Sequence, residues 1–295
     1  MAFTRVREFL RPESSREAVD LLATYGNRAL LLAGGTFIHG LAARGLGSGV
    51  DALIDLQKAG LAYVKAENGA VAIGAMTTFT ELAEAEPVKS RPELGAVWDA
   101  LQCPPAQIRN MATVGGTVAS ASPLFDLPVA FLALDGAVKA LGANDAREIG
   151  LSEFFVDYFE HTLAKDELLT EVLLPKLPAR SASAFLKLET NANDLALLNV
   201  ATRITVDAAG ECQEARVILG GGVGKVPTRA VSSEKALKGQ RPSRELVDKA
   251  AQAVSADLHP VSDHRASAQY RAAVAKVFVR RALIRTLERL GVELG

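Results

Sequence analysis

Two glycine pairs, each followed by a threonine, are the strongest candidates for ligand chemistry in this 295-residue chain. The first is AGGT at 33–36 and the second is TVGGT at 113–117. Glycine permits close backbone approach and positive φ, and successive N–H groups at a turn or helix start bind anions. One such pair is more typical of an ordinary turn. Two pairs facing each other, with hydroxyl donors, would suit a diphosphate and therefore a dinucleotide.

The elements before residue 60 must position the first pair, and they predict a small βαβ-like unit. Ser14 or Ser15 can cap a helix that ends at Gly26. The apolar runs 29–33 and 50–56 predict strands on either side of a helix over about 36–44. Strands joined by a helix are expected to pair in parallel.

The pattern changes after residue 60. Glu67-Asn68-Gly69 between alternating runs predicts a hairpin of 61–66 with 70–75. The stretch 103–128 predicts irregular backbone, and the prolines near 175–178 predict a boundary. Periodicity and turn residues predict helices at 78–84, 92–101, 127–134, 243–255 and 267–290, and strands at 137–141, 168–174, 182–188, 195–206 and 214–219. Strands grouped before helices indicate an α+β fold.

Composition excludes several classes of protein. The net charge of −1 gives no electrostatic reason to bind nucleic acid, and no apolar run reaches membrane-spanning length. Cys103 and Cys212 are too few for an iron–sulfur cluster, and the four histidines lack metal-ligand spacing, so no metal site is expected on this chain. The charged N-terminus lacks the apolar core of a secretory signal, which favours the cytoplasm.

Three segments carry a family resemblance: QIRNMATVGGTVASASPLFDLP at 107–128, LLAGGTFI at 31–38 and IGAMTTFTELAE at 73–84. They resemble the FAD-binding (medium) subunits of the xanthine dehydrogenase and carbon monoxide dehydrogenase family of molybdenum hydroxylases. The likeness continues through DELLTEVLLP at 166–175 and covers nearly the whole chain. It implies a PCMH-type, vanillyl-alcohol-oxidase-like FAD-binding domain over 1–177, with lobes at about 1–57 and 58–177. A smaller α+β domain of the CO dehydrogenase flavoprotein C-terminal type would follow at 180–292.

The resemblance also implies which residues bind FAD on this chain. The diphosphate loops would be Leu31, Leu32, Ala33, Gly34, Gly35, Thr36, Phe37 and Ile38, together with Thr113, Val114, Gly115, Gly116 and Thr117. Asp126 would close the second loop region, while Cys103, Leu169 and Lys187 would line the flavin pocket. A lysine there would stabilise negative charge on the reduced flavin. Phe37, Thr117 and Asn191 depart from the residues common in the family.

Three simpler roles compete with these assignments. Lys187 could be a strand residue that points to solvent. Asp126 could cap the helix that begins near Leu127, and both of its roles could hold together. Cys103 is expected to be a small buried hydrophobe rather than a reactive thiol.

The implied function is electron transfer within a multi-subunit molybdenum hydroxylase. Electrons would pass from [2Fe-2S] clusters on a small partner subunit, through FAD, to an external acceptor, while a large subunit holds the molybdenum–pterin cofactor. The assembly would be a heterotrimer or its dimer. A scaffold subunit that binds nucleotide without flavin turnover is the alternative. A stand-alone flavin oxidase is less well supported, because no acid/base constellation is evident.

The last predicted helix carries a row of basic residues, Lys276, Arg280, Arg281, Arg285 and Arg289, opposed by Val274, Val277, Phe278 and Leu287. This amphipathic pattern predicts a solvated basic face. A docking surface for a partner subunit is the functional alternative.

Overall fold

A computed structural model describes residues 6–38, 49–191 and 194–294. The α-helices within these ranges are α1 (Ser15–Tyr25), α2 (Phe79–Glu84), α3 (Glu86–Lys89), α4 (Gly95–Gln102), α5 (Ala106–Arg109), α6 (Val114–Ala119), α7 (Asp126–Ala133), α8 (Leu151–Phe154), α9 (Val231–Leu237), α10 (Arg244–Ala253) and α11 (Ala268–Arg289). The strands are β1 (Glu8–Leu10), β2 (Ala29–Leu32), β3 (Ala52–Asp55), β4 (Val64–Glu67), β5 (Ala70–Gly74), β6 (Ala137–Leu141), β7 (Ala146–Gly150), β8 (Phe155–Asp157), β9 (Glu160–His161), β10 (Leu168–Leu174), β11 (Ser181–Leu188), β12 (Leu198–Val206), β13 (Cys212–Gly220) and β14 (Thr228–Arg229).

The first sheet is parallel, in the order β1-β3-β2, which confirms the predicted pairing. Helix α1 begins and ends as predicted: the Ser14 hydroxyl accepts the Glu17 N–H, and Gly26 ends the helix at a φ of 53°. Strand β1 was not predicted, because three residues are too few to show periodicity. The predicted helix at 36–44 begins at Thr36, and its continuation falls outside the described residues.

The second sheet is antiparallel, in the order β4-β5-β10-β6-β7. The predicted hairpin is confirmed, and Asn68 and Gly69 both adopt the positive φ that a two-residue turn of this kind requires. The prediction of irregular backbone over 103–128 was wrong, since α5, α6 and the start of α7 lie there. These short helices depend on tertiary contacts, and α6 also on its Thr113 cap, rather than on an apolar repeat. Strand β7 and the β8–β9 hairpin were also missed.

The third sheet is antiparallel, in the order β11-β12-β13-β14, and α11 packs against β11 and β12. The basic row of α11 is largely paired within the chain, because Arg285 and Arg289 both bind Asp99 and Arg280 binds Asp248. The prediction of a purely solvated face therefore needs correction. Val277, placed on the apolar side, is exposed instead. Helix α9 was not predicted.

The main core is continuous across the predicted domain boundary. Phe185, Ala201 and Ile218 from the third sheet pack in the same cluster as Leu101 and Phe131 from the preceding helices. Such shared apolar burial, at roughly 25 cal/mol per Å², favours a fixed arrangement of the two parts. Among the described residues, no helix combines the length and apolar character needed to cross a membrane.

Candidate cofactor site

The two glycine loops lie directly against each other. A Cβ atom added at Gly34 would overlap the carbonyl oxygen of Met111 and would lie 3.1 Å from the Cα of Ala112. A Cβ added at Gly116 would lie 3.7 Å from the Cβ of Ala33. The absence of a side chain at Gly34 thus lets the first loop pack on the backbone that leads into the second, whereas the Gly116–Ala33 distance is ordinary contact.

The second loop is held by hydrogen bonds within the protein. The N–H of Val114 donates to the Thr77 carbonyl (2.9 Å), and the N–H of Gly115 donates to the Ala75 carbonyl (2.8 Å). The N–H of Gly116 donates to the Thr113 hydroxyl (3.2 Å), which caps α6. Because these amide protons are already engaged, the second loop can offer a ligand its hydroxyl groups but not the N–H groups of Val114, Gly115 and Gly116.

The first loop has the free donors that the second lacks. Within the part of the chain that the structure describes, the N–H groups of Gly34 and Gly35 form no hydrogen bond. Gly35 has a φ of 72°, a conformation that residues with a Cβ rarely adopt, and Thr36 begins the next helical turn. A turn of this shape, with unpaired N–H groups ahead of a helix start, fits an anionic group such as a diphosphate.

A buried ion pair forms the second part of the site. The Lys187 ammonium lies 3.2 Å from Asp126 and 3.2 Å from Glu189, and only 6% of the Lys187 side chain is exposed. The solvent-facing alternative for Lys187 is therefore wrong. The alternative of Asp126 as a helix cap is wrong as well. Helix α7 begins at Asp126 itself, and its carboxylate accepts a hydrogen bond from the Asn199 amide (2.8 Å).

Burial and ion pairing both act on the pKa values of this pair. Burial raises the pKa of Asp126, and the Lys187 ammonium offsets part of that rise. Burial also opposes the charge on Lys187, but its attraction to Asp126 and its hydrogen bonds to Asp126 and Glu189 outweigh that effect and raise the pKa of Lys187. Lys187 therefore carries a firmly held positive charge at neutral pH.

Cys103 lines the same cleft as Lys187, in a cavity of about 270 Å³ between α4 and β11 that Trp98 and Gln102 also border. Burial, reinforced by the Asp126 carboxylate, raises the pKa of the Cys103 thiol to about 12. The thiol therefore stays protonated at neutral pH, as expected for an unreactive side chain. The residue is only half-buried, so the prediction of a buried side chain needs correction.

Leu169 lies in the apolar core on β10, where it is almost fully buried. Its neighbour Thr170 accepts a hydrogen bond from the N–H of Ala75 (2.9 Å), and the Ala75 carbonyl in turn holds Gly115. Strand β10 therefore supports the second glycine loop through Ala75. The role of Leu169 as a residue that touches the flavin stays a prediction.

Several residues of the site were not predicted from the sequence. Asn199 and Glu189 contact the Lys187–Asp126 pair, and Phe125 and Phe159 pack beside the first loop. Asn199 did carry a signal, since a fully buried amide within the long, buried β12 requires a polar partner. Phe159 carried none, because its partners are distant in the sequence.

The fold and the two loops define a dinucleotide-binding subunit of two packed parts. A family model described as the FAD binding domain in molybdopterin dehydrogenase matches residues 3–177, and the CO dehydrogenase flavoprotein C-terminal domain matches residues 183–286. The chain therefore belongs to the FAD-binding medium subunits of the xanthine dehydrogenase and carbon monoxide dehydrogenase family. It is thus a subunit of an oxidoreductase, and the α+β fold class predicted from the sequence is confirmed.

Individual relatives cover the chain almost end to end. The 6-hydroxypseudooxynicotine dehydrogenase complex subunit alpha of Paenarthrobacter nicotinovorans is 33% identical over 96% of this chain and 95% of its own length. The carbon monoxide dehydrogenase medium chain of Afipia carboxidovorans is 31% identical over 96% of this chain and 97% of its own length. A solved carbon monoxide dehydrogenase from Hydrogenophaga pseudoflava superposes with a TM-score of 0.91 at 30% identity, covering 98% of this chain and 99% of that one.

Proposed function

We propose that this chain carries FAD and relays electrons from [2Fe-2S] clusters on a small partner subunit to an external acceptor. One observation carries the proposal: the N–H groups of Gly34 and Gly35, unpaired within the described residues, lie in a loop that packs on the backbone leading into the second glycine pair. The loops form one cradle whose unpaired amides suit a diphosphate. This arrangement would hold the diphosphate of any dinucleotide, so the cofactor content distinguishes FAD from the scaffold alternative.

The residues present fit FAD in two places. The amides of Gly34 and Gly35 would hold the diphosphate, with hydroxyl donors from Thr36, Thr113 and Thr117. When bound, FAD supplies the capacity to accept electrons from one carrier and deliver them to another. Lys187, held between two carboxylates, would place a positive charge at the flavin pocket beside Cys103.

The assembly is proposed from composition and from the relatives together. Two cysteines cannot supply the four thiolates that a cluster normally needs, so the iron–sulfur clusters would belong to another chain. Relatives are named as a medium chain and as a subunit of a dehydrogenase complex, which supports a heterotrimer or its dimer with a large molybdopterin subunit. We further propose a cytoplasmic location, with domains at 1–177 and 180–292.

The test is the cofactor content of the purified chain, alone and in its co-expressed complex. An absorption spectrum is followed by heat release and chromatography of the released cofactor. FAD at about one per chain is expected. FMN would contradict a site built for a diphosphate. Protein that is colourless in both preparations and takes up no added FAD would favour the scaffold alternative.

A further inference from the structure

Three phenylalanine rings join the two parts of the cofactor site. Phe37 stacks on Phe159, with ring centroids 5.9 Å apart and planes 25° apart. The same ring meets Phe125 edge-on, with centroids 5.8 Å apart and planes at 82°. Phe37 directly follows Thr36 of the first loop, and Phe125 directly precedes Asp126. The rings therefore connect the glycine loop to the buried ion pair.

Phe159 reaches this cluster from the tip of the β8–β9 hairpin. Its φ is 60°, which is disfavoured for a residue with a large side chain, and 54% of the residue is exposed. Its N–H donates to the carbonyl of Ala121 (3.1 Å), and Ala121 itself has a φ of 45°. On the strand before the tip, Asp157 binds Lys225 (2.7 Å). The hairpin is thus anchored on both sides in a strained conformation that places the Phe159 ring on Phe37.

We propose that Phe159 is a positioning residue for cofactor retention. By packing on Phe37, it holds the start of the helix after the first glycine loop against Phe125, so that the N–H groups of Gly34 and Gly35 stay directed at one point. The inference rests on the proposed FAD binding. Strained residues persist where the surrounding structure requires them, and a strained, half-exposed aromatic ring at a loop contact indicates such a requirement.

The variants separate the ring from the backbone strain. Phe159→Ala removes the ring and keeps a Cβ at positive φ, whereas Phe159→Gly removes the ring and relieves the strain. Both are expected to speed FAD release about three- to tenfold, the effect of losing one aromatic pair. Phe159→Tyr keeps the ring and should release FAD as the wild type does. Val156→Ala is the matched control, because Val156 is 58% exposed on the same hairpin and outside the ring cluster.

Two measurements are needed on the same proteins. FAD release is followed from the fluorescence of free FAD after dilution of the holoprotein, and thermal unfolding is followed after FAD has been stripped. A positioning role predicts faster release with an unfolding midpoint no lower than that of Val156→Ala. If Phe159→Ala does not fold, Phe159→Leu keeps apolar bulk, breaks the ring stack and should give the same increase in release rate.

Three outcomes distinguish the possibilities. Release at the wild-type rate from both Phe159→Ala and Phe159→Gly would overturn the inference. A midpoint of the stripped protein that falls in proportion to the faster release would also overturn it, because Phe159 would then only stabilise the fold. Wild-type protein that holds no FAD would contradict the proposed function instead.

Discussion

Replacement of Gly34 by alanine should force the two glycine loops apart. The new Cβ would overlap the carbonyl oxygen of Met111 and lie 2.7 Å from its carbonyl carbon. Non-bonded carbon atoms settle at about 3.5–4.0 Å, so the loops would have to separate by roughly 1 Å or more. The obstacle is backbone, and no flexible side chain can move aside to relieve it.

The size of the effect follows from this displacement. Overpacking of this kind costs about 1–3 kcal/mol, and each kcal/mol lowers the unfolding midpoint of a domain of this size class by about 2–4 °C. An N–H···O bond to a bound diphosphate spans only about 2.7–3.2 Å, so a shift of about 1 Å breaks it. A charge-assisted bond contributes about 1.5–3 kcal/mol, so the FAD dissociation constant should rise by about tenfold or more for each bond lost.

The assay is a titration of FAD into stripped protein, together with thermal unfolding. Gly142→Ala is the control, since its Cβ would lie 3.5 Å from the nearest Asp145 oxygen, which is ordinary contact. Gly35→Ala should have an effect between those of the other two variants. The φ of 72° at Gly35 strains any residue with a Cβ, yet the added Cβ would lie 3.4 Å from its nearest neighbour, the Cδ1 of Leu32. Binding and unfolding of Gly34→Ala that match those of Gly142→Ala would refute the contact between the loops.

Two further predictions concern ion pairs that include a buried cation. Lys187→Met should lower the unfolding free energy by about 3–5 kcal/mol, because Asp126 loses its cation, and should lower the flavin midpoint potential, while Lys187→Arg should do neither. An unchanged potential would place Lys187 away from the flavin. Partial burial opposes the charge of Asp263, but hydrogen bonds from the Arg265 N–H and the Arg271 guanidinium lower its pKa from 3.8 to about 2. Its stabilisation is therefore complete above pH 3.8 and lost as the pH falls through about 2. Denaturant unfolding of the wild type and Asp263→Asn should converge over that range, and a constant difference would contradict the assignment.

The elements that were predictable from the sequence are those with local causes. The hairpin follows from Asn68 and Gly69, which tolerate positive φ, and α1 follows from Ser14 and Gly26 at its ends. Strand β10 was predicted with its observed limits, because leucine and valine dominate its residues and only Thr170 and Glu171 interrupt them. Each of these signals lies within a few residues of the element that it specifies.

The parts that were not predictable depend on residues far apart in the chain. Asn199 meets Asp126 across 73 positions, and α6 forms where Thr113 caps it and Gly115 packs on Ala75. A short helix without an apolar repeat gives no periodic signal, so the stretch 103–128 is indistinguishable from a loop in the sequence. Family resemblance predicted the loop residues as FAD-binding, but it did not indicate that the second loop's amides are already bonded within the protein.

The position of the Lys187 charge, which we propose to face the flavin, depends on how the two packed parts meet. Asp99 on α4 accepts hydrogen bonds from Arg285 and Arg289 on the last helix (2.7 Å each) and from the N–H of Phe185 (3.0 Å). Phe185 lies two residues before Lys187 on β11, so the contact that joins the parts also places the ammonium beside Asp126. A change at this junction should therefore alter flavin binding and flavin potential even when both glycine loops are intact. In the proposed FAD site, the C-terminal part would therefore contribute Lys187 as well as extending the subunit.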